Sequence, residues 1–205
     1  MGKKKIRNKG FSIAFLGPDG SGKSTIISGL LATDFPFERT DYFHLKPLRQ
    51  KEGKEDTVVQ DPHKFAPYSA LKSYIKLIVF IIQYNYGWVS TINPLVNKSS
   101  LIIFDRYYDD LLVDHKRYRY GGSMSIAKWV SNMIPKPDLY FILTAESDII
   151  YQRKQEVSIT ELKRQIKGYR DLVDGEQYID INVSRTPQEI VSQIRGFILK
   201  NLNEK

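Results

Sequence analysis

One short segment constrains this chain more than any other. Residues 17–24 read G-P-D-G-S-G-K-S and match the phosphate-binding loop pattern G-x-x-x-x-G-K-[ST] at every fixed position. An apolar run at 11–16 precedes the loop, and a stretch with helical apolar spacing at 24–32 follows it. A strand, this loop and a helix, in that order, are the setting that the motif requires. The segment therefore predicts a P-loop fold that binds a nucleoside triphosphate.

Each residue type in the loop has a chemical reason to be there. Its glycines allow successive backbone N–H groups to converge on phosphate oxygens, and the helix N-terminus adds its positive dipole end. Lys23 is expected to reach the β- and γ-phosphates, and the hydroxyl of Ser24 is expected to bind Mg²⁺. The residues predicted to bind the nucleotide are Gly17, Asp19, Gly20, Ser21, Gly22, Lys23, Ser24 and Thr25.

Apolar runs and amphipathic stretches alternate along the rest of the chain. Strands are predicted at 11–16, 39–45, 101–105, 138–143 and 178–183, and helices at 24–32, 126–134, 146–156, 159–173 and 187–202. Such alternation predicts a parallel sheet with right-handed crossovers. We therefore expect one α/β domain over residues 11–205.

Residues 67–96 are expected to form one long helix or two shorter ones, broken near Gly87 and stopped by Pro94. The middle of this segment, 75–82, is apolar on more than one face. A membrane span needs about 20 mainly apolar residues, and polar residues such as Lys76 interrupt this stretch, so no span is expected. An apolar surface this wide predicts burial against both the sheet and a second subunit, that is, a homodimer through this helix.

Charge and composition bear on partners and location. The chain carries a formal net charge of +8 and no cysteine. Five basic residues, and so most of the net positive charge, lie in 1–10, which we expect to be a disordered, solvated arm rather than a nucleic-acid contact. A cysteine-free chain has no disulfide or thiolate metal site and fits the reducing cytoplasm. The three histidines (His44, His63 and His115) lack ligand spacing, so no transition metal is expected.

A carboxylate ends the predicted strand at 101–105, on the side of the sheet where α/β proteins bind ligands. Asp105 is therefore expected to hold Mg²⁺ together with Ser24. The next residue is Arg106, not a glutamate that orients water. Because a guanidinium binds phosphate and cannot act as a base at neutral pH, this pair favours transfer to an anionic acceptor over hydrolysis.

Two further segments are candidates for a lid. Residues 153–165 contain several basic side chains, of which Arg153 is the predicted catalytic one, placed to neutralise charge on the transferred group. Residues 46–66 are rich in charged residues and show no hydrophobic periodicity. A functional lid and a solvated loop are equally compatible with this segment.

Three features together resemble the thymidylate kinase family of nucleoside monophosphate kinases. They are the loop at 17–25, the triplet Asp105-Arg106-Tyr107, and the last strand followed by Ser184-Arg185. The resemblance implies a P-loop three-layer sandwich with a five-stranded parallel sheet in the order 2-3-1-4-5, a Mg-ATP donor and a short lid. It also implies that Asp19 faces the sugar hydroxyl of the acceptor and that Arg106 binds the acceptor phosphate.

Two stretches depart from the family pattern. Residues 44–49 lack its Pro-Gly-Gly turn, and residues 108–122 mix acids, bases and tyrosines where the family has small hydroxyl residues. In the second stretch, Lys116, Arg117 and Arg119 are candidates for gripping a second phosphate. The expected acceptor is a dTMP-like nucleoside monophosphate. A sugar or sugar phosphate acceptor, or a nucleotide-dependent switch or nucleic-acid-associated ATPase, stays open.

Overall fold

The structure is a computed structural model that describes residues 9–48 and 65–203. Most of the predicted basic arm at 1–10 and most of the segment 46–66 therefore lie outside the described residues. His63 lies there too.

Five strands form one parallel sheet. They are β1 (Phe11–Leu16), β2 (Arg39–His44), β3 (Ser100–Asp105), β4 (Leu139–Thr144) and β5 (Tyr178–Asn182). Their order is β2-β3-β1-β4-β5, and every neighbouring pair is parallel. This confirms the predicted order 2-3-1-4-5. The central strand β1 is buried along its whole length because it is covered on both faces, which explains its nearly unbroken apolar sequence.

Helices cover both faces of the sheet. They are α1 (Lys23–Leu31), α2 (Ala70–Gly87), α3 (Asn93–Asn97), α4 (Asp110–Val113), α5 (Met124–Ser131), α6 (Ser147–Arg153), α7 (Ile159–Arg170) and α8 (Pro187–Asn203). Successive residues of β1 point to opposite sides: Ile13 and Phe15 enter the core under α1 and α8, whereas Ala14 and Leu16 enter the core under α2. The described residues thus form the three-layer sandwich that the family resemblance implies.

The prediction that Pro94 stops the long helix is wrong. After α2, the chain continues through a π-helical turn (Trp88–Ile92) directly into α3, and Pro94 lies in the first turn of α3. In a regular helix the proline ring would clash with the carbonyl four residues earlier. The wider π turn changes this register, since the N–H of Asn93 bonds to the carbonyl of Trp88. The chain therefore stays helical to Asn97.

The regular α-helix ends at Gly87, as predicted, although the chain stays helical beyond it, and Gly87 also permits close packing. A Cβ built on it would lie 2.3 Å from the carbonyl oxygen of Pro47, in the segment after β2. The helix can approach that segment only because residue 87 has no side chain. Among the described residues, no helix has the length and apolar character needed to cross a membrane.

Candidate active site

The P-loop follows β1 at the edge of the sheet where the parallel strands end. Gly17 and Gly20 have φ angles of +150° and +82°, which residues with a side chain adopt only with strain. A Cβ on Gly17 would also lie 2.5 Å from the carbonyl oxygen of Leu143 at the end of β4. The glycines are therefore needed for the shape of this loop, as the motif predicts.

Lys23 lies inside the loop, at the first position of α1. Its Nζ donates to the carbonyl oxygens of Gly17 at 2.7 Å and Pro18 at 2.9 Å, and only 7% of the residue is exposed. Burial, with help from the charge of Arg106, lowers the pKa of Lys23 to about 7. A phosphate oxygen placed at this ammonium would compensate for both effects.

Asp105 has the properties of a metal ligand. Its Oδ2 accepts from the Tyr42 hydroxyl at 3.3 Å and lies 3.9 Å from His44 Nδ1. Burial alone would raise the pKa of Asp105, but His44 and the charge of Lys23 hold it below its usual value. Its Oδ1 is buried and has no hydrogen-bond partner among the described residues.

These observations test whether the predicted metal fits. An ionised carboxylate with an unpartnered buried oxygen suits a hard cation, and Ser24 beside the loop is exposed and available as a second oxygen ligand. The predicted pair of Asp105 and Ser24 is therefore chemically compatible with Mg²⁺.

Arg106 is held in place from two sides. Its backbone has a positive φ of 69°, and its N–H donates to the carbonyl of Phe15 at 3.0 Å, which ties it to β1. One guanidinium nitrogen donates to Asp110 Oδ2 at 2.7 Å, and the other pairs with Asp19 of the P-loop. Burial would lower the pKa of Arg106, but the Asp110 carboxylate raises it above its usual value, so Arg106 stays charged.

Sequence reasoning missed the group that positions Arg106. Asp110 is fully buried and also accepts hydrogen bonds from the hydroxyls of Tyr118 at 2.9 Å and Tyr169 at 2.6 Å. The helical spacing of four residues could not have found this contact, because Arg106 has a positive φ and precedes α4, which begins at Asp110. α4 covers only residues 110–113, too few to show a period in the sequence.

The lid residues do not all converge on the P-loop. Arg153, at the end of α6, donates to the carbonyl oxygen of Val183 at 3.0 Å. Its neighbour Lys154 lies over the loop instead, since a Cβ on Gly20 would be 3.0 Å from Lys154 Cβ. Arg164 is bound to Glu161 at 2.8 Å.

Tyr107 and Tyr108, which follow Arg106 directly, are core residues. Both are fully buried. The hydroxyl of Tyr107 donates to Pro135 O at 2.5 Å and that of Tyr108 to Ala127 O at 2.8 Å.

The sheet order, the P-loop and the polar groups at the strand ends define a P-loop α/β protein with the architecture of the nucleoside monophosphate kinases. Within that class, the chain is similar to thymidylate kinases in sequence and in fold. It is 26% identical over 216 residues to a probable thymidylate kinase of Methanosarcina barkeri, covering 94% of this chain and 100% of the relative. It is also 26% identical over 200 residues to a probable thymidylate kinase of Pyrobaculum aerophilum, covering 91% of this chain and 95% of the relative.

Solved structures show the same fold. The thymidylate kinase of Candida albicans superposes with a TM-score of 0.66 at 20% identity, covering 98% of this chain and 96% of that one. The thymidylate kinase of Ehrlichia chaffeensis superposes with a TM-score of 0.60 at 18% identity, covering 92% and 98%. No protein-family model matches the chain.

Proposed function

We propose that this protein is a kinase of thymidylate kinase type, which transfers the γ-phosphoryl group of Mg-ATP to a dTMP-like nucleoside monophosphate. The observation that carries this proposal is the position of Arg106. It follows directly after the carboxylate of Asp105 and reaches the P-loop through Asp19. An acceptor phosphate bound by Arg106 would therefore lie beside the donor phosphates, as in-line transfer requires.

The donor half of the site uses the loop and the two oxygen ligands. Lys23 neutralises charge on the β- and γ-phosphates, and Ser24 and Asp105 hold the metal. When bound, Mg²⁺ offsets the negative charge that develops on the phosphate oxygens. Both effects lower the barrier by electrostatic stabilisation, since phosphoryl transfer needs little covalent help from the protein.

A surface cavity of about 580 Å³ lies next to the loop, between α1 and the start of α8. It is lined by Thr25 at its P-loop end and by the apolar side chains of Pro187 and Val191. We assign the base of the donor nucleotide to the Thr25 end of this cavity, because its lining combines apolar surface with hydrogen-bonding side chains such as Gln188, which suits a flat, polar-edged ring.

Two neighbouring basic residues, Arg153 and Lys154, are the candidates for the lid cation. Arg153 would have to leave the carbonyl of Val183 to reach the phosphates. Lys154 already lies against the P-loop at Gly20, and its charge contributes to the lowered pKa of Lys23. We therefore place the lid cation at Lys154 and keep Arg153 as the second candidate.

We further propose that the protein is a homodimer through α2. One side of this helix is buried on the sheet by Leu77, Phe80 and Tyr84. The other side exposes apolar residues at helical spacing: Leu71, Ile75, Ile78, Ile82 and Tyr86, continued by Val89. A second copy of the same helix would cover this stripe through a self-complementary contact. A cytoplasmic location, where ATP and Mg²⁺ are supplied, is consistent with the proposed activity.

Mass spectrometry of the acceptor tests the reaction. Purified protein is incubated with Mg-ATP and one acceptor at a time: dTMP, other nucleoside monophosphates, nucleosides and sugar phosphates. We expect ADP and a diphosphate in equal amounts with dTMP or a closely related monophosphate. A product formed only from a sugar phosphate, or ATP consumption that rises only with RNA or DNA, would overturn the proposal.

A further inference from the structure

Arg117 lies in the loop after α4, within the stretch that departs from the thymidylate kinase pattern. Its guanidinium contacts carboxylates from three separate segments. It pairs with Asp19 of the P-loop, its Nε donates to Asp114 at 3.1 Å, and it lies 3.6 Å from Glu156 in the segment between α6 and α7. Only 20% of the Arg117 side chain is exposed.

The contact with Asp19 is shared with Arg106. A guanidinium nitrogen of Arg106 meets Asp19 Oδ1, and one of Arg117 meets Asp19 Oδ2. Two cations from different loops thus converge on the two oxygens of one anion. A phosphate monoester offers three oxygens and up to two negative charges to such a pair of guanidiniums, so it matches them better than one carboxylate does.

The two arginines are also supported in the same way. Arg106 has the buried carboxylate of Asp110 behind it, and Arg117 has that of Asp114, whose side chain is 3% exposed. In each case the supporting carboxylate takes one edge of the guanidinium and leaves the other edge facing Asp19. Both guanidiniums are thus oriented towards Asp19 by carboxylates that are buried behind them.

We propose that Arg117 is a second acceptor-binding arginine, which contacts the phosphate of the nucleoside monophosphate together with Arg106. This inference depends on the proposed function. Binding of the phosphate releases Asp19 from both arginines, so that its carboxylate is available to a sugar hydroxyl. It also displaces Glu156, which belongs to the predicted lid segment and is paired with Lys154. Acceptor binding is thereby linked to the position of the lid.

The test compares R117Q with R39Q. Arg39 pairs with Asp41 at 2.5 Å at the start of β2, at the opposite end of the sheet, so this control removes the same charge and the same kind of pair. Loss of a charge-assisted contact to phosphate predicts that R117Q raises the KM for dTMP about tenfold to a hundredfold, with the KM for ATP changed less than about threefold. R39Q should leave both values unchanged.

Inhibition by thymidine separates binding of the phosphate from a structural role. Thymidine has no phosphate, so its inhibition constant should be the same in R117Q and the unmodified protein. Should R117Q fail to fold, R117K takes its place, because lysine keeps the charge but not the planar fork. For R117K we expect a smaller rise in the KM for dTMP, of about threefold or more.

Two outcomes bear on different claims. If the unmodified protein phosphorylates no nucleoside monophosphate, the proposed function fails. If it phosphorylates dTMP and the folded Arg117 variants keep its KM, or lose thymidine and ATP binding to the same extent as dTMP, the role of Arg117 is wrong while the function stands.

Discussion

The guanidinium of Arg106 donates to the carboxylate of Asp110 at 2.7 Å, four residues further along the chain, and Asp110 is fully buried. The same carboxylate accepts from Tyr118 and Tyr169, which belong to the aromatic core. The arginine proposed to bind the acceptor is therefore positioned from the core side as well as by Asp19 of the P-loop.

Asp110→Asn should be strongly destabilising. The substitution keeps the size of the side chain but leaves the buried guanidinium of Arg106 without its charged partner. Breaking a buried ion pair in this way costs about 3–5 kcal/mol, and we expect the lower end because Asp19 still contacts Arg106. Denaturant unfolding at neutral pH measures the loss of stability.

D171N is the matched control, since Lys167 and Asp171 have the same spacing of four residues but are exposed. This substitution should cost less than about 0.5 kcal/mol. Equal losses in the two variants would contradict this account.

Nucleotide binding should take up a proton at Lys23. Its pKa is lowered to about 7, because burial and the charges of Arg106 and Lys154 outweigh the attraction of Asp105 and Asp110. Above pH 7 the amine is increasingly neutral, and the charge of a bound polyphosphate raises its pKa again. At pH 8.5, Mg-ADP binding should therefore take up as much as about one proton, and affinity should fall as the pH rises.

Calorimetry in two buffers with different ionisation enthalpies measures that uptake. K23A should abolish phosphoryl transfer and leave the thermal unfolding midpoint unchanged. Any Mg-ADP binding that remains in K23A should occur without proton uptake. Binding by the unmodified protein with no proton uptake at pH 8.5 would show that Lys23 is already charged.

Much of this site follows from the sequence because its signals are local. The P-loop pattern and its flanks determine the positions of β1 and α1, and the apolar run before Asp105 determines the end of β3. The alternation of strands and helices gives the parallel sheet, and the family resemblance gives its order. These features depend on neighbouring residues, which a single sequence shows directly.

What the sequence does not show depends on contacts between distant segments. The support of Arg117 by Asp114 and its link to Glu156 require the relative positions of two loops. The direction of Arg153 depends on where α6 ends: the predicted end was residue 156, but α6 ends at residue 153, which turns Arg153 towards Val183 and Lys154 towards the P-loop.

The two lid residues make distinct predictions. Lys154→Gln should lower kcat by at least about tenfold, because it removes a charge close to the loop that binds the transferred phosphate. Arg153→Gln should lower it less, since this side chain binds the carbonyl of Val183. Steady-state kinetics with saturating ATP and acceptor compare the kcat of the two variants. A larger loss in R153Q would mean that Arg153 leaves Val183 during turnover and is itself the lid cation.

The exposed stripe of α2 predicts the oligomeric state. Ile78 and Ile82 are 55% and 61% exposed, so the double substitution I78E/I82E removes no core contact and should leave the unfolding midpoint of a monomer unchanged. In a dimer, the same change places charged groups inside an apolar contact, where their burial without partners is unfavourable. Sedimentation at micromolar concentration should therefore show a dimer for the unmodified protein and a monomer for the variant.

Leu31→Glu is the control, because Leu31 is 45% exposed on α1, away from the stripe. This substitution should leave the dimer intact. A purely monomeric unmodified protein, or a variant that still dimerises, would mean that α2 is not the subunit interface.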